Sequence, residues 1–241
     1  PKKRIFRLVN DNAIINRLGF NNDGVDKITD RLRKKGNIII GGNIGKNKVT
    51  PNEKAKDDYL ICFKALYDNV DYFAVNVSSP NTPNLRDLQN INDLREILSP
   101  LIKENKKRES KPILIKISPD LIDDDIKDLV DMALDLKIDG IITSNTTIKR
   151  NNLKSKKKLT NETGGLSGQP LNNRSTDIIR LIHEYSNKKL PIIGVGGIMT
   201  TQDALDKINA GASLIQLYTG FIYNGPSFAR NINKEIIKSL N

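Results

Sequence analysis

Asn76-Val77-Ser78-Ser79-Pro80-Asn81 and Ser144-Asn145-Thr146-Thr147 place amides and hydroxyls in dense runs, and Asn43 and Lys116 stand alone in apolar surroundings. An Asn side chain offers a donor and an acceptor, which suits the alternating N–H and C=O edge of a planar heterocycle such as a pyrimidine. Hardly a carboxylate accompanies them, so paired-acid hydrolysis and Mg²⁺ chemistry find little support. Gly164-Gly165-Leu166-Ser167-Gly168, Gly196-Gly197 and Tyr218-Thr219-Gly220 add backbone freed of Cβ, able to close around a phosphate. Each Asn, Ser or Gly taken singly also reads as a turn residue or a helix cap. Their collection at strand ends favours a site.

The elements that position them alternate. Val25, Ile28 and Leu32 mark a helix, followed by a buried strand Ile38-Ile39-Ile40 that ends in Gly41-Gly42. Thr50-Pro51-Asn52-Glu53 reads as a capping box opening a helix whose core face is Ala55, Tyr59, Cys62, Phe63 and Leu66. The strand Tyr72 to Val77 comes next. A helix through Ile91, Leu94, Leu98, Leu101 and Ile102 leads to the strand Ile113 to Ile117. Ile126, Leu129, Val130, Ala133 and Leu134 form a helical stripe before a strand from Gly140. The polar stretch from Lys149 to Thr163 reads as a long loop or flap. A helix around Ile178 and Ile182, a strand Pro191 to Val195, a helix capped by Thr200 and Asp203, a strand Ala212 to Tyr218 and a helix from Phe228 to Leu240 complete the pattern.

Six strands alternating with helices, apolar on both faces, predict a parallel sheet with crossover helices. Six βα units after an initial helix match a (β/α)8 TIM barrel with six of its eight strands present, in a single domain over residues 1–241. An open doubly wound sheet is the alternative, weakened by the lack of a glycine-rich dinucleotide fingerprint after the first strand. In either fold the active site lies at the carboxyl ends of the strands, where the polar residues collect.

Composition narrows the chemistry. The hydrophobic share of 37% is enough for a folded core, and no run approaches the ~18 apolar residues that cross a bilayer. The start, Pro1-Lys2-Lys3-Arg4-Ile5-Phe6-Arg7, lacks the apolar core of a signal peptide. A single cysteine, Cys62, rules out an internal disulfide and a cysteine metal cage, and a single histidine, His183, rules out HExxH zinc chemistry. No metal site is expected. Cys62 and His183 read as helix packing or surface residues. The net charge of +11 suits anionic ligands, a membrane surface or nucleic acid. The run Lys154 to Lys158 lacks interleaved aromatics, so it reads as solvated loop and no nucleic acid is expected.

The motifs Asn16-Arg17-Leu18-Gly19-Phe20-Asn21, Gly45-Lys46-Asn47-Lys48, Asn76 to Thr82, Ser144 to Thr147, Gly164 to Gly168 and Gly194 to Gly197 resemble class 2 dihydroorotate dehydrogenases, in family order over nearly the whole chain. The resemblance implies an FMN-containing barrel that oxidises dihydroorotate to orotate in pyrimidine biosynthesis, with a quinone as electron acceptor. It implies Ser79 as the catalytic base, where class 1 enzymes carry cysteine. It implies Asn16, Phe20, Asn76, Asn81, Asn145 and Thr146 as substrate contacts. Asn43, Asn76, Lys116, Ser144, Ser167, Gly168, Gly196, Gly197, Tyr218 and Thr219 are implied as FMN contacts, with Lys116 beside the ring and the last several around the phosphate.

The resemblance implies that class 2 enzymes begin with a membrane-associating segment and a first strand that contributes a substrate-binding lysine, and neither is expected within this sequence. The expectation is therefore a fragment of such an enzyme that binds flavin poorly by itself and associates through its exposed sheet edges. A peripheral association with the cytoplasmic face of a bacterial inner membrane, or with the mitochondrial inner membrane, is implied for the whole enzyme. A phosphate-binding lyase or isomerase on the same barrel is the rival reading; it shares the glycine cup but has no need of the Asn-rich loops.

Overall fold

The chain opens on a hairpin, not on a helix. β1 (Ile5–Leu8) and β2 (Ala13–Asn16) pair antiparallel across a short 3-10 turn that ends on Asn12 at φ 46°. This corrects the helix-first order. Ile5-Phe6-Arg7-Leu8 alternates exposed and buried, the period-two pattern of a half-buried strand. The structure, a computed structural model, describes residues 3–34 and 36–239. Leu240, expected in the last helix, and Pro1 and Lys2 lie outside the described residues.

The alternation then runs α1 (Val25–Leu32), β3 (Gly41–Ile44), α2 (Ala55–Leu66), β4 (Tyr72–Asn76), α3 (Ile91–Asn105), β5 (Ile113–Ile117), α4 (Asp123–Asp135) and β6 (Gly140–Thr143). It continues with a short α5 (Lys157–Thr160), β7 (Gly165–Gly168), α6 (Asn172–Tyr185), β8 (Ile192–Val195), α7 (Thr201–Asn209), β9 (Leu214–Gln216), α8 (Thr219–Asn224) and α9 (Ser227–Ser239).

Six strands form one parallel sheet in the order β3-β4-β5-β6-β8-β9, and β1-β2-β7 form a separate antiparallel sheet. The large sheet is curled. Lys116 of β5 donates to Gln216 Oε1 of β9 at 3.1 Å, although strands three places apart in a flat sheet lie about 14 Å apart. Six parallel strands with helices outside are the TIM-barrel architecture expected from the sequence. Toward the helices point Phe73, Val75, Ile113, Ile115, Ile141 and Ile192, all in the main core. Phe63 of α2 stacks on Phe73 with ring centroids 4.2 Å apart. Toward the barrel interior point Ala74, Leu114, Ile142 and Val195.

Two local expectations need correction, and a third holds with an addition. The first parallel strand is Gly41–Ile44, and Ile38 and Ile39 are 64% and 84% exposed. The glycines read as strand-ending punctuation are inside the strand, because the Tyr72 ring lies 2.3 Å from where a Gly41 Cβ would stand. The Thr50 box does not form; Asn52–Lys54 make a 3-10 turn with no side-chain cap. The box at Thr200 does form, with Asp203 N donating to Thr200 Oγ1 at 3.1 Å. Finally, the stretch from Lys149 to Thr163 is loop apart from α5, and its Leu153 and Leu159 pack beneath the hairpin against Phe6, Leu8, Ile15 and Leu166. Among the described residues no helix is long and apolar enough to cross a membrane.

Candidate active site

A cavity of about 390 Å³ opens at the carboxyl ends of the parallel strands, beneath the hairpin sheet, within the usual span of small-molecule sites. Its polarity follows from strand periodicity. Residues two apart share a face, so above the apolar interior layer of Ala74, Leu114 and Ile142 the next positions are Asn76, Lys116 and Ser144. Asn43 of β3 lines the same cavity. The loop after β4 brings Ser79 and Asn81, and the loop after β6 brings Asn145 and Thr146. From the hairpin side come Asn16, Phe20, Ser167 and Gly168. The turns after β8 and β9 close it with Gly196, Gly197, Tyr218 and Thr219. The structure thus brings to one cavity every residue that the resemblance implies as a catalytic, substrate or flavin contact.

Asn76 organises one side of the cavity. Its Oδ1 accepts from Ser78 N at 3.2 Å, Ser78 Oγ at 3.1 Å and Asn145 Nδ2 at 3.3 Å. The Asn145 amide also donates to Ser78 Oγ at 3.0 Å, so the loops after β4 and β6 share one network. Asn81 donates from its side chain to Asn16 Oδ1 at 3.2 Å, and from its backbone to Ser79 Oγ at 3.3 Å. Tyr59 of α2 steadies this strand end from behind, donating to the Asn76 carbonyl at 2.9 Å. Ser144 Oγ and Thr146 Oγ1 are buried without a hydrogen-bond partner among the described residues. Buried hydroxyls are normally satisfied, which suits a polar ligand between these strands.

Lys116 stands on the strand next to Asn76, with Asn76 and Lys116 in register. Burial pulls its ammonium down to about 8, because a charge in low dielectric favours the neutral form. Opposite, Thr219 donates to Ser167 Oγ at 2.8 Å, and Ser167 donates to the Ile14 carbonyl at 3.2 Å. Gly197 takes φ 73°, and a Cβ there would meet Asn172 N at 2.3 Å, so only glycine lets this turn sit against α6.

Two residues that position the site were not singled out in the sequence. Arg86 donates to the Ser78 carbonyl at 3.0 Å, to the Thr146 carbonyl at 2.6 Å and to Asp120 Oδ2 at 2.7 Å. Asp120 in turn accepts from Ile148 N at 3.0 Å and from the Thr147 hydroxyl. Burial pushes the Asp120 carboxyl up, but the Thr147, Ile148 and Arg86 donors outweigh it and hold it below its ordinary value. Arg86 follows the Asn81-Thr82-Pro83 run by a few residues, and Asp120 follows a strand end. Position relative to the recognised motifs was the signal available. Cys62, whose thiol burial and Asp58 push up, packs on α2 against the main core, and the His183 ring lies against Gly211.

The family model for dihydroorotate dehydrogenase matches residues 1–240. The chain belongs to the dihydroorotate dehydrogenase family. It is 57% identical over 238 residues to a dihydroorotate dehydrogenase (quinone) from Christiangramia forsetii, covering 98% of this chain and 69% of that protein. It is 48% identical to a dihydroorotate dehydrogenase (quinone) from a Synechococcus species, covering 99% of this chain and 66% of that protein. The chain thus spans about two thirds of the length of these relatives. A crystal structure of DHODH from Eimeria tenella in complex with ferulenol superposes with a TM-score of 0.92 at 39% identity, covering 100% of this chain and 71% of that one. The ligand-free form of that protein gives 0.93 at 40% identity and 73% of its chain. Dihydroorotate dehydrogenases of this quinone-dependent group are oxidoreductases that oxidise dihydroorotate in pyrimidine biosynthesis, and the family consists of flavoenzymes.

Proposed function

We propose that this protein oxidises dihydroorotate to orotate, with FMN as its cofactor and a quinone as the final electron acceptor. The observation that carries the reading is the convergence of Ser79, Asn76, Asn145 and Lys116 with the Gly196-Gly197 turn in one cavity. The residues present fit FMN. Ser144 holds a buried hydroxyl in want of a partner, Lys116 is a sequestered cation, and the glycine turns leave backbone free of Cβ for a phosphate. FMN, when bound, supplies the hydride acceptor.

The chain's own residues do the rest. Ser79, which lines the cavity, takes the C5 proton of dihydroorotate and releases its own hydroxyl proton toward solvent, while the C6 hydrogen leaves as hydride, so the C5–C6 bond becomes double. The amides of Asn16, Asn76, Asn81 and Asn145 orient the ring edge and its carboxylate, with Phe20 and Thr146 beside them, a gain made by alignment. Asn43, Ser144, Ser167, Gly168, Tyr218 and Thr219 hold the cofactor. Lys116 supplies positive charge that favours the electron-rich reduced ring. Anaerobic addition of dihydroorotate to flavin-loaded protein is expected to bleach the visible flavin band, and a short-chain quinone to restore it. A band that does not respond to dihydroorotate overturns the proposal.

The lowered pKa of Lys116 gives a pH dependence with a definite sign. Its ammonium is present below about 8 in the flavin-free protein and is lost above it. The ammonium is a stronger donor to the flavin ring beside it than the neutral amine, so FMN affinity is expected to be level below pH 8 and to fall above it, by at most about tenfold per pH unit. Titration of FMN fluorescence between pH 6.5 and 9.5 (roughly, the window around this pKa) checks it. Lys116→Met removes the fall and starts from weaker binding; a wild-type profile that is flat across pH 8 contradicts the assignment.

A further inference from the structure

Lys207 is completely buried, yet it lies on α7 outside the cavity and takes no part in the chemistry above. Its ammonium donates to the Asn172 carbonyl at 3.3 Å and to Thr176 Oγ1 at 3.0 Å, both on α6. A buried ammonium is costly, and a methionine would fill a similar volume without the charge. Desolvation lowers the Lys207 pKa to about 8, with the Asp203, Asp206 and Asp177 carboxylates opposing, so the group is cationic at neutral pH.

What the ammonium holds is the first residue of α6, and that residue grips the glycine turn. Asn172 Nδ2 donates to the Gly197 carbonyl at 2.9 Å and to Asp203 Oδ1 at 2.8 Å. Asp203, one helical turn before Lys207, accepts from Met199 N at 2.9 Å and Thr200 N at 2.8 Å through its other oxygen. The turn that leaves β8 is therefore fastened at both ends by a unit of Lys207, Asn172 and Asp203. The Gly197–Ile198 peptide is trans, and in a trans peptide the N–H points opposite to the carbonyl. Fixing the Gly197 carbonyl toward Asn172 thus aims the Ile198 N–H away from α6, and Ile198 lines the cavity.

We infer that Lys207 is a positioning residue for the phosphate end of the cofactor: acting through Asn172, it holds the Gly197 turn in the conformation that offers backbone donors to a phosphate monoester. The inference rests on the flavin reading above and predicts discrimination between FMN and riboflavin, which differ only in the phosphate.

The experiment compares dissociation constants for FMN and riboflavin by fluorescence quenching in the full-length wild type, Lys207→Met, Asn172→Ala and the double variant. Lys207→Met is expected to weaken FMN by tenfold or more and riboflavin by less than twofold. Asn172→Ala is expected to do the same, and the double variant to lose little more than either alone, because the two act in series. Parallel losses for both flavins, or unchanged FMN affinity in a folded Lys207→Met protein, overturn the inference. If Lys207→Met does not fold, Lys207→Gln decides: a retained preference for FMN overturns it and a lost preference in a protein that still binds riboflavin supports it. A wild type that binds neither flavin overturns the flavin reading and this inference together, whereas a wild type that binds FMN confines any failure to the role of Lys207.

Discussion

Replacing Ser79 with alanine lowers the rate of dihydroorotate-driven flavin reduction by about 10²- to 10⁴-fold, the usual worth of a positioned general base, while FMN content stays at the wild-type level. The hydroxyl is buried and accepts from Asn81 N at 3.3 Å, so the surrounding backbone has no need of its proton. Removing Oγ leaves the Asn76, Ser78 and Asn145 network intact, because none of its hydrogen bonds passes through Ser79. A rate effect without a binding effect is the expected signature, read by anaerobic stopped-flow reduction at saturating dihydroorotate. A loss below threefold would remove Ser79 from the chemistry.

Arg86→Met is expected to damage both fold and rate. The guanidinium fork meets two loop carbonyls and one carboxylate, and the Arg86 and Asp120 side chains are 19% and 14% exposed. Breaking a buried pair leaves the partner uncompensated, and with part of Asp120 still capped by Thr147 and Ile148 the cost is about 2–3 kcal/mol. For a chain of this size that is a fall in Tm of roughly 5–10 °C. The loops carrying Ser79 and Asn145 lose their shared tie, and misplacement near 1 Å can lower kcat about 10²-fold. Arg86→Lys recovers little, since an ammonium lacks the planar fork that reaches three acceptors. Thermal denaturation and steady-state kinetics check both parts; wild-type kcat in Arg86→Met would show that the loops hold their places without it.

The parallel sheet was legible because its strands are apolar on both faces and its helices carry clear stripes, as at Ile126 to Leu134 and Ile113 to Ile117. The site was legible for a related reason: a polar residue inside such a strand, Asn76 or Lys116, has no packing rationale and must face something polar. The hairpin was harder. β1 and β2 are four residues each, and β2 is buried throughout except at Asn16, so only β1 shows alternation. The other partner of β2, β7, lies about 150 residues away and reads as a glycine-rich loop, a pairing that no local pattern encodes. The Arg86 and Asp120 tie was hidden likewise, since a charged residue in a turn normally reads as solvated until tertiary structure shows both partners enclosed. Gly41 and Gly42 misled in the opposite sense, because their lack of side chain serves the Tyr72 and Phe73 rings and not a turn.

The reach of Lys116 across the interior to Gln216 ties the bore of this molecule to the bend of its backbone. How wide a guest the mouth admits is then governed by sheet curvature as much as by the side chains that touch the guest. Repacking on the outer helical shell that flattened β8 and β9 would retune ligand size from a distance, with every contact residue left as it is.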